Sequence, residues 1–299
     1  MRLIPLDRAC LAKALPVPAP DANKLTRGKL TLIGGSGDYP GSICLAAKAA
    51  LYAGAGYVEC ACSEVAVPLV RAFAPSLVVR AWDEVDAHVL GVDASDPRHP
   101  KACAIGPGMV ADGALQDGLA AQMIEGCAHP LVLDGGALRT VAERELASAL
   151  RTRAERGAAT VMTPHGGEAA ALARIAGIEV PDQSGDAHEV ARFARSLSDA
   201  FASHVLLKGP TSFVASPVEE DVLVMDEGTP ALAKAGTGDV LAGAVGALLA
   251  QGVDPMAACA LAAMVHAHAG CIAAERMGVI SVTAEDVLDA LPAAIRSFA

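Results

Sequence analysis

A series of short apolar runs in this chain each stop at glycine or at a single polar residue, and most are followed by a stretch of helical composition. "KLTLIGG" ends in glycines, "KACAIGPG" in Gly-Pro-Gly, "PLVLDGGAL" at Asp134, "AATVMTPHGGE" at Thr163-Pro164-His165 and "SHVLLKG" at Lys208. Runs of this kind, bounded by turn residues, read as strands. Strands alternating with helices fold as a mostly parallel sheet covered on both faces. Ligands of such sheets bind outside the carboxyl ends of the strands. Ser36, Gly106 to Gly108, Asp134, His165 and Lys208 all follow predicted strands and are expected on one rim.

The remaining segments fill in this α/β plan. "GYVECACS" and "DVLVMD" read as further strands, and "GSICLAAKAALYAG" as a helix stopped by Gly54. A helix is expected around Glu64 to Phe73, and three helical segments close the chain. "SHVLLKGPTSFVAS" reads as two strands joined at Gly209-Pro210, an antiparallel addition at the sheet edge. Residues 1–25 read as a short helical arm and a Pro-rich turn. There is no internal repeat, low-complexity tract or long linker, so residues 1–299 are expected to form a single domain.

Composition narrows the function classes. Hydrophobic residues make up 53% and aromatics only 3%, so small side chains let helices approach a sheet closely. The net charge of −11 opposes nonspecific binding to nucleic acid or to an anionic membrane, which needs a positive field. A local anion site remains open, because main-chain N–H groups can build one. The start of the chain places Asp7 and Arg8 where a secretory signal needs an apolar core, so none is expected. Eight cysteines, none in a CxxC pair, imply buried thiols in a reduced, cytoplasmic protein. Met256 to Ala274 is long and apolar but carries His266 and His268, and reads as a buried helix.

Among the motifs, "AKAGTGDVLAGAVGALLAQG" has one carboxylate, Asp239, behind Gly236-Thr237-Gly238 at the start of an apolar helix. Free N–H groups and the positive end of the helix dipole suit a phosphate there. Asp239 could take a proton from a hydroxyl attacking that phosphate, or could simply cap the helix. "LIGGSGDYPGS" lacks the third glycine of a dinucleotide fingerprint, with Pro40 in its place. His165 and Lys208 are strand-end residues that touch a ligand or are merely structural and solvated. His266 and His268 are two apart on a helix and do not share a face, which opposes a shared metal. HExxH, GxSxG and P-loop patterns are absent.

Taken in order, "LIGGSGDYPGS", "AALYAGAGYV", "AIGPGM", "PLVLDGGAL", "VMTPHGGE", "HVLLKGPTSFVA" and "ALAKAGTGDVLAGAVGALLAQG" resemble the ADP/ATP-dependent NAD(P)H-hydrate dehydratases. That family is a branch of the ribokinase-like superfamily, and the likeness spans roughly residues 30 to 270. The resemblance implies a three-layer α/β fold and a repair reaction on the S epimer of hydrated NADH or NADPH. The hydrate's hydroxyl is phosphorylated by ADP or ATP with Mg²⁺, and phosphate then leaves. By the family pattern Asp239 is the general base, and Gly236, Thr237 and Gly238 form an anion hole. Lys208, Gly209, Pro210, Thr211 and Ser212, with Gly238, line the adenine nucleotide. Ile43, Gly108, His165 and Asp239 contact the hydrate. The metal ligands are not identified.

Three positions depart from the commonest pattern: Ile43 where alanine is frequent, Asn23-Lys24 where a His-Lys pair is frequent, and Gly136 where some members carry a second acid. The resemblance further implies a homotetramer. An epimerase domain is not expected, so a separate protein would convert the R epimer. Two other readings compete. One is a kinase of the same superfamily acting on a vitamin-type alcohol; the other is a nucleotide-binding protein without catalysis. The intact Gly-Thr-Gly-Asp argues against the second.

Overall fold

The computed structural model describes residues 1–85, 96, 98–110, 113–182 and 186–298. Its first half comprises β1 (Leu3–Pro5), α1 (Arg8–Ala12), β2 (Lys29–Ile33), α2 (Pro40–Tyr52), β3 (Tyr57–Cys62), α3 (Val67–Phe73), β4 (Val78–Ala81), β5 (Lys101–Ile105), α4 (Ala114–Gly126) and β6 (Leu131–Leu133). The second half comprises α5 (Gly136–Glu143), α6 (Ala147–Glu155), β7 (Thr160–Met162), α7 (Gly166–Ala176), α8 (Ala187–Phe201), β8 (His204–Leu207), β9 (Ser212–Ala215), β10 (Val222–Met225), α9 (Thr237–Ala250), α10 (Pro255–Met277) and α11 (Ala284–Arg296).

The strands form one ten-stranded sheet in the order β1-β10-β9-β8-β7-β6-β5-β2-β3-β4. Among the described residues only β9 runs against the others. Period-two alternation sends successive strand residues to opposite faces. Leu30, Leu32, Cys60, Ala104 and Leu206 join a core with α2, α9, α10 and α11. Ile33, Ala61, Ile105, Leu133 and Leu207 join a second core with α4 to α8. Helices therefore cover both faces of a mostly parallel sheet, which is the expected three-layer arrangement.

The edge differs from the sequence reading. The β8–β9 hairpin forms as expected, but β10 and then β1 lie outside it. β1 pairs in parallel with β10, Leu3 opposite Val222, and Arg2 N–H donates to Asp221 Oδ1 at 2.9 Å. Three residues are too few to show alternation, so the arm reads locally as helix alone. β4, a four-residue strand beside β3, is unread for the same reason.

Small residues set the depth of α9. A Cβ at Gly243 would lie 2.0 Å from the Ala46 carbonyl oxygen, so only glycine lets α9 lie this close to α2. α10 is long and apolar enough to cross a membrane, yet 72% of its most apolar stretch is buried inside the protein. Cys44, Cys60, Cys62, Cys103, Cys127 and Cys259 are buried thiols, whereas Cys10 is exposed.

Candidate active site

The sheet carries its polar strand ends to one rim. β6 delivers Asp134, β7 delivers Thr163 and His165, and β8 delivers Lys208. Pairing continues past the strands, because the Lys208 N–H donates to the Pro164 carbonyl at 2.8 Å and His165 bridges Lys208 in parallel. Asp134 is buried, and its Oδ1 accepts from Thr163 Oγ1 at 2.6 Å and from Lys208 Nζ at 2.8 Å. Glu168, in the first turn of α7, stands 4.0 Å from the same ammonium. His165 caps α7: its Nδ1 accepts from Gly167 N–H at 3.0 Å, and its own N–H donates to Glu168 Oε2 at 2.8 Å.

α9 starts at this cluster. Gly236 precedes it at φ +92°, and a Cβ there would meet Ala284 Cβ at 2.8 Å and Leu45 Cδ1 at 2.9 Å. A Cβ on Gly238 would lie 3.4 Å from Lys208 Nζ, so the lysine reaches the opening turn of α9. Thr237 Oγ1 donates to the Leu232 and Lys234 carbonyls at 2.8 and 2.9 Å. Its hydroxyl is committed to the loop, which leaves the main chain to face a ligand. No side chain caps α9, and Asp239 is its third residue, so the capping reading does not hold.

Three carboxylates share one ammonium here. Burial raises the Asp239 carboxyl to about 7; the Asp134 charge adds to this, while a hydrogen bond from Ser42 and the charge of Lys208 work against it. Burial also raises Glu168, with Lys208 opposing and Asp134 reinforcing. Burial disfavours the Lys208 ammonium, but Asp134, Glu168 and Asp239 outweigh it and leave its pKa raised. At neutral pH Lys208 is therefore charged, while Asp239 sits at its own titration point and can accept or release a proton.

The other expected site residues divide. Gly108 adjoins Ser42: a Cβ on it would lie 2.8 Å from Ser42 Cβ. His165 is exposed at the rim. Gly209 and Pro210 are exposed at the hairpin turn, Thr211 is half-buried and Ser212 is buried at the start of β9. Ile43, expected to contact the hydrate, has its side chain fully buried beneath Gly35, where a Cβ would meet Ile43 Cγ2 at 2.5 Å. Its side chain supports the glycine loop from below. Ser42, whose side chain hydrogen-bonds Asp239, is not among the expected residues; its sequence signal is its place in the helical turn directly after that loop.

An open cleft of about 570 Å³ lies alongside, lined by Asp38, Tyr39, Met109, Val110, Gly135, Gly136, Arg139 and Glu168. Glu168 belongs to both the cleft and the charged cluster. Among the described residues no group of His, Cys, Asp and Glu could hold a metal ion by itself. The arrangement offers a titrating carboxylate, a helix start with free N–H groups and a lysine, which together can bind a phosphate and deprotonate a hydroxyl beside it.

Comparison with known proteins identifies the family. A family model described as NAD(P)H-hydrate dehydratase matches residues 30–293. The chain is 33% identical over 288 residues to an ADP-dependent (S)-NAD(P)H-hydrate dehydratase of Xanthomonas campestris pv. campestris, covering 95% of this chain and 93% of that protein. It is 33% identical over 298 residues to the bifunctional NAD(P)H-hydrate repair enzyme Nnr of Moorella thermoacetica, covering 98% of this chain and 54% of the relative. The chain thus spans about half the length of that bifunctional protein. A solved ADP/ATP-dependent NAD(P)H-hydrate dehydratase from Bacillus subtilis, co-crystallised with ATP/Mg²⁺, superposes with a TM-score of 0.79 at 27% identity, covering 99% of each chain. Hydroxyethylthiazole kinase of Pyrococcus horikoshii, at TM-score 0.62 and 17% identity over 97% of this chain and 96% of its own, shares the fold.

Proposed function

The chain belongs to the NAD(P)H-hydrate dehydratase family, and from that premise we propose that it restores NADH or NADPH from the S epimer of the hydrate, with ADP or ATP as phosphoryl donor. The observation that carries the reading is Asp239, a carboxyl raised to about 7 at the glycine-lined start of α9, within reach of Lys208. The hydrate's hydroxyl oxygen attacks the terminal phosphorus. Its proton passes to Asp239, and the bond from phosphorus to the nucleotide's bridging oxygen breaks. Phosphate then leaves carbon with the C–O electron pair, and the neighbouring carbon gives a proton to water while its C–H electron pair re-forms the ring double bond.

N–H groups of Gly236 to Gly238 would receive the charge that develops on the phosphoryl oxygens. Lys208 would pair with the nucleotide's phosphates, and residues 209 to 212 would follow its ribose. Gly108, His165 and the adjoining cleft would take the hydrate. The donor set suits magnesium held mainly by the nucleotide, because that ion is usually bound by one or two carboxylates together with phosphates. Glu168 is the carboxylate placed to assist. Magnesium bound there would offset phosphate charge. The exposed apolar residues Val65, Leu69 and Phe73 support a homo-oligomer, and the buried thiols support a reduced, cytoplasmic setting.

The test is to mix the purified protein with S-NADH hydrate, Mg²⁺ and either ATP or ADP, and to follow the reduced nicotinamide's near-ultraviolet absorbance. Recovery that requires nucleotide supports the reading and identifies the donor. No recovery from folded protein that still binds both nucleotides would overturn it and favour a small-alcohol kinase.

A further inference from the structure

Aromatic residues are scarce in this chain, and Tyr39 is the one aromatic residue that lines the cleft. It is 59% exposed, although its main chain is fixed. Its N–H donates to Ser36 Oγ at 3.2 Å, and its carbonyl accepts from the Ser42 N–H at 3.4 Å. A Cβ on Gly108 would lie 2.5 Å from the same carbonyl, so only glycine lets the Gly-Pro-Gly turn come this close. Tyr52 and Tyr57 each lie under a lysine ammonium, at 5.0 and 5.5 Å, whereas among the described residues no cation or second ring covers Tyr39. An uncovered aromatic side chain on a fixed main chain therefore stands at the cleft. The cleft meets the charged cluster at Glu168, 4.0 Å from Lys208 Nζ, so a ligand in it lies beside the proposed phosphate site.

The substrate's own chemistry gives such a ring a task. Water adds to a double bond conjugated with nitrogen so that the hydroxyl ends on the carbon bonded to nitrogen. When phosphate leaves that carbon with the C–O electron pair, the nitrogen lone pair forms a C=N bond in its place. The ring flattens and carries one positive charge. The neighbouring carbon then gives its proton to water, its C–H electron pair forms the C=C bond, and the C=N pair returns to nitrogen. A cation over an aromatic face is attracted by the ring quadrupole, more strongly where water is displaced. We propose that Tyr39 is a substrate-contacting residue whose ring lies against the hydrate's ring and stabilises the positive charge that develops there as phosphate leaves. The role rests on the dehydration reading of the site. The neutral, puckered hydrate gains less from the same contact, so the effect falls on kcat.

Two variants separate the aromatic face from the hydroxyl and from bulk. Tyr39→Phe keeps the face, and Tyr39→Leu keeps an apolar side chain without one. The residue is exposed, so both are expected to fold, which melting temperatures check. Tyr39→Leu is expected to lower kcat for hydrate recovery about tenfold, with KM for nucleotide unchanged, while Tyr39→Phe stays near the parent. Calorimetry with NAD⁺, whose nicotinamide is flat and cationic, provides a readout without turnover. NAD⁺ affinity is expected to fall about tenfold in Tyr39→Leu and hold in Tyr39→Phe, and affinity for NADH, whose ring is neutral, to fall less. A Tyr39→Leu protein equal to the parent in either measurement, or a Tyr39→Phe protein as impaired as Tyr39→Leu, overturns the inference. If the unmodified protein restores no hydrate, the dehydratase reading fails, and the NAD⁺ comparison alone decides whether Tyr39 supports a cationic ring.

Discussion

Lys208 Nζ lies 2.8 Å from Asp134 Oδ1, across the end of β7, whose Thr163 donates to the same oxygen. Two strands and the side chain between them are tied at the floor of the proposed phosphate site. Lys208→Met would leave a buried carboxylate without its cation. We expect a stability loss of roughly 2–3 kcal/mol in urea unfolding, below the range for a fully buried pair because Lys208 keeps some exposure. Adding Asp134→Asn should return part of that loss, while the nucleotide KM, expected to rise in Lys208→Met, stays raised. A single variant as stable as the parent would show that the pair contributes nothing.

Asp239→Asn removes the proton acceptor and keeps the volume. A positioned general base contributes roughly 10²–10⁴-fold, and kcat for hydrate recovery should fall by that order with nucleotide binding retained. Full-rate turnover by the variant would exclude the role.

The pH dependence follows from the same group. Asp239 acts as a base only when ionised, and its carboxyl stands at about 7. Activity should therefore rise with pH through about 7 along a one-proton limb. The Ser42 hydrogen bond lowers this pKa, so Ser42→Ala should move the limb to higher pH. A limb that stays in place in Ser42→Ala would assign it to another group.

Stability and activity should oppose each other at this residue. A carboxyl whose folded pKa is raised contributes stability that is fully present below its unfolded value near 4 and is lost as pH rises through about 7. Asp239→Asn should therefore be more stable than the parent at pH 8 by on the order of 2 kcal/mol, discounted for partial exposure, and equal to it near pH 4. Thermal melts at the two pH values read this directly.

Two glycines two residues apart should respond differently. Gly236→Ala forces a Cβ into Ala284 and Leu45 at φ +92° and should destabilise the fold by roughly 1–3 kcal/mol. Gly238→Ala meets only the end of Lys208 at 3.4 Å, so it should fold normally and lose phosphoryl transfer. Equal melting temperatures for the two would contradict the packing described.

The rim was legible because glycine and isolated polar residues interrupt apolar runs where a parallel sheet ends. Asp134, His165, Lys208 and Asp239 all announce themselves in that way. Features that depend on distant parts of the chain were not legible. β1 is strand because Val222 offers it a partner, and Ile43 is buried in a core shared with α9 and α10, with Gly35 folded over it. Ser42 looks like an ordinary helix residue until α9 is packed against α2. Its spacing from Asp239 in sequence carries no trace of that contact.

The pairing of β1 with β10 also orders assembly in time. A chain synthesised from its amino end holds Leu3 to Pro5 without a partner until Val222 has emerged, and Gly236 to Asp239 emerge later still. Asp134, Thr163 and Lys208 have by then already been synthesised. Asp239 arrives last, on a helix that must pack beside α2 on the sheet, so an unfinished chain holds Lys208 and the other two acids but lacks the carboxylate proposed as proton acceptor.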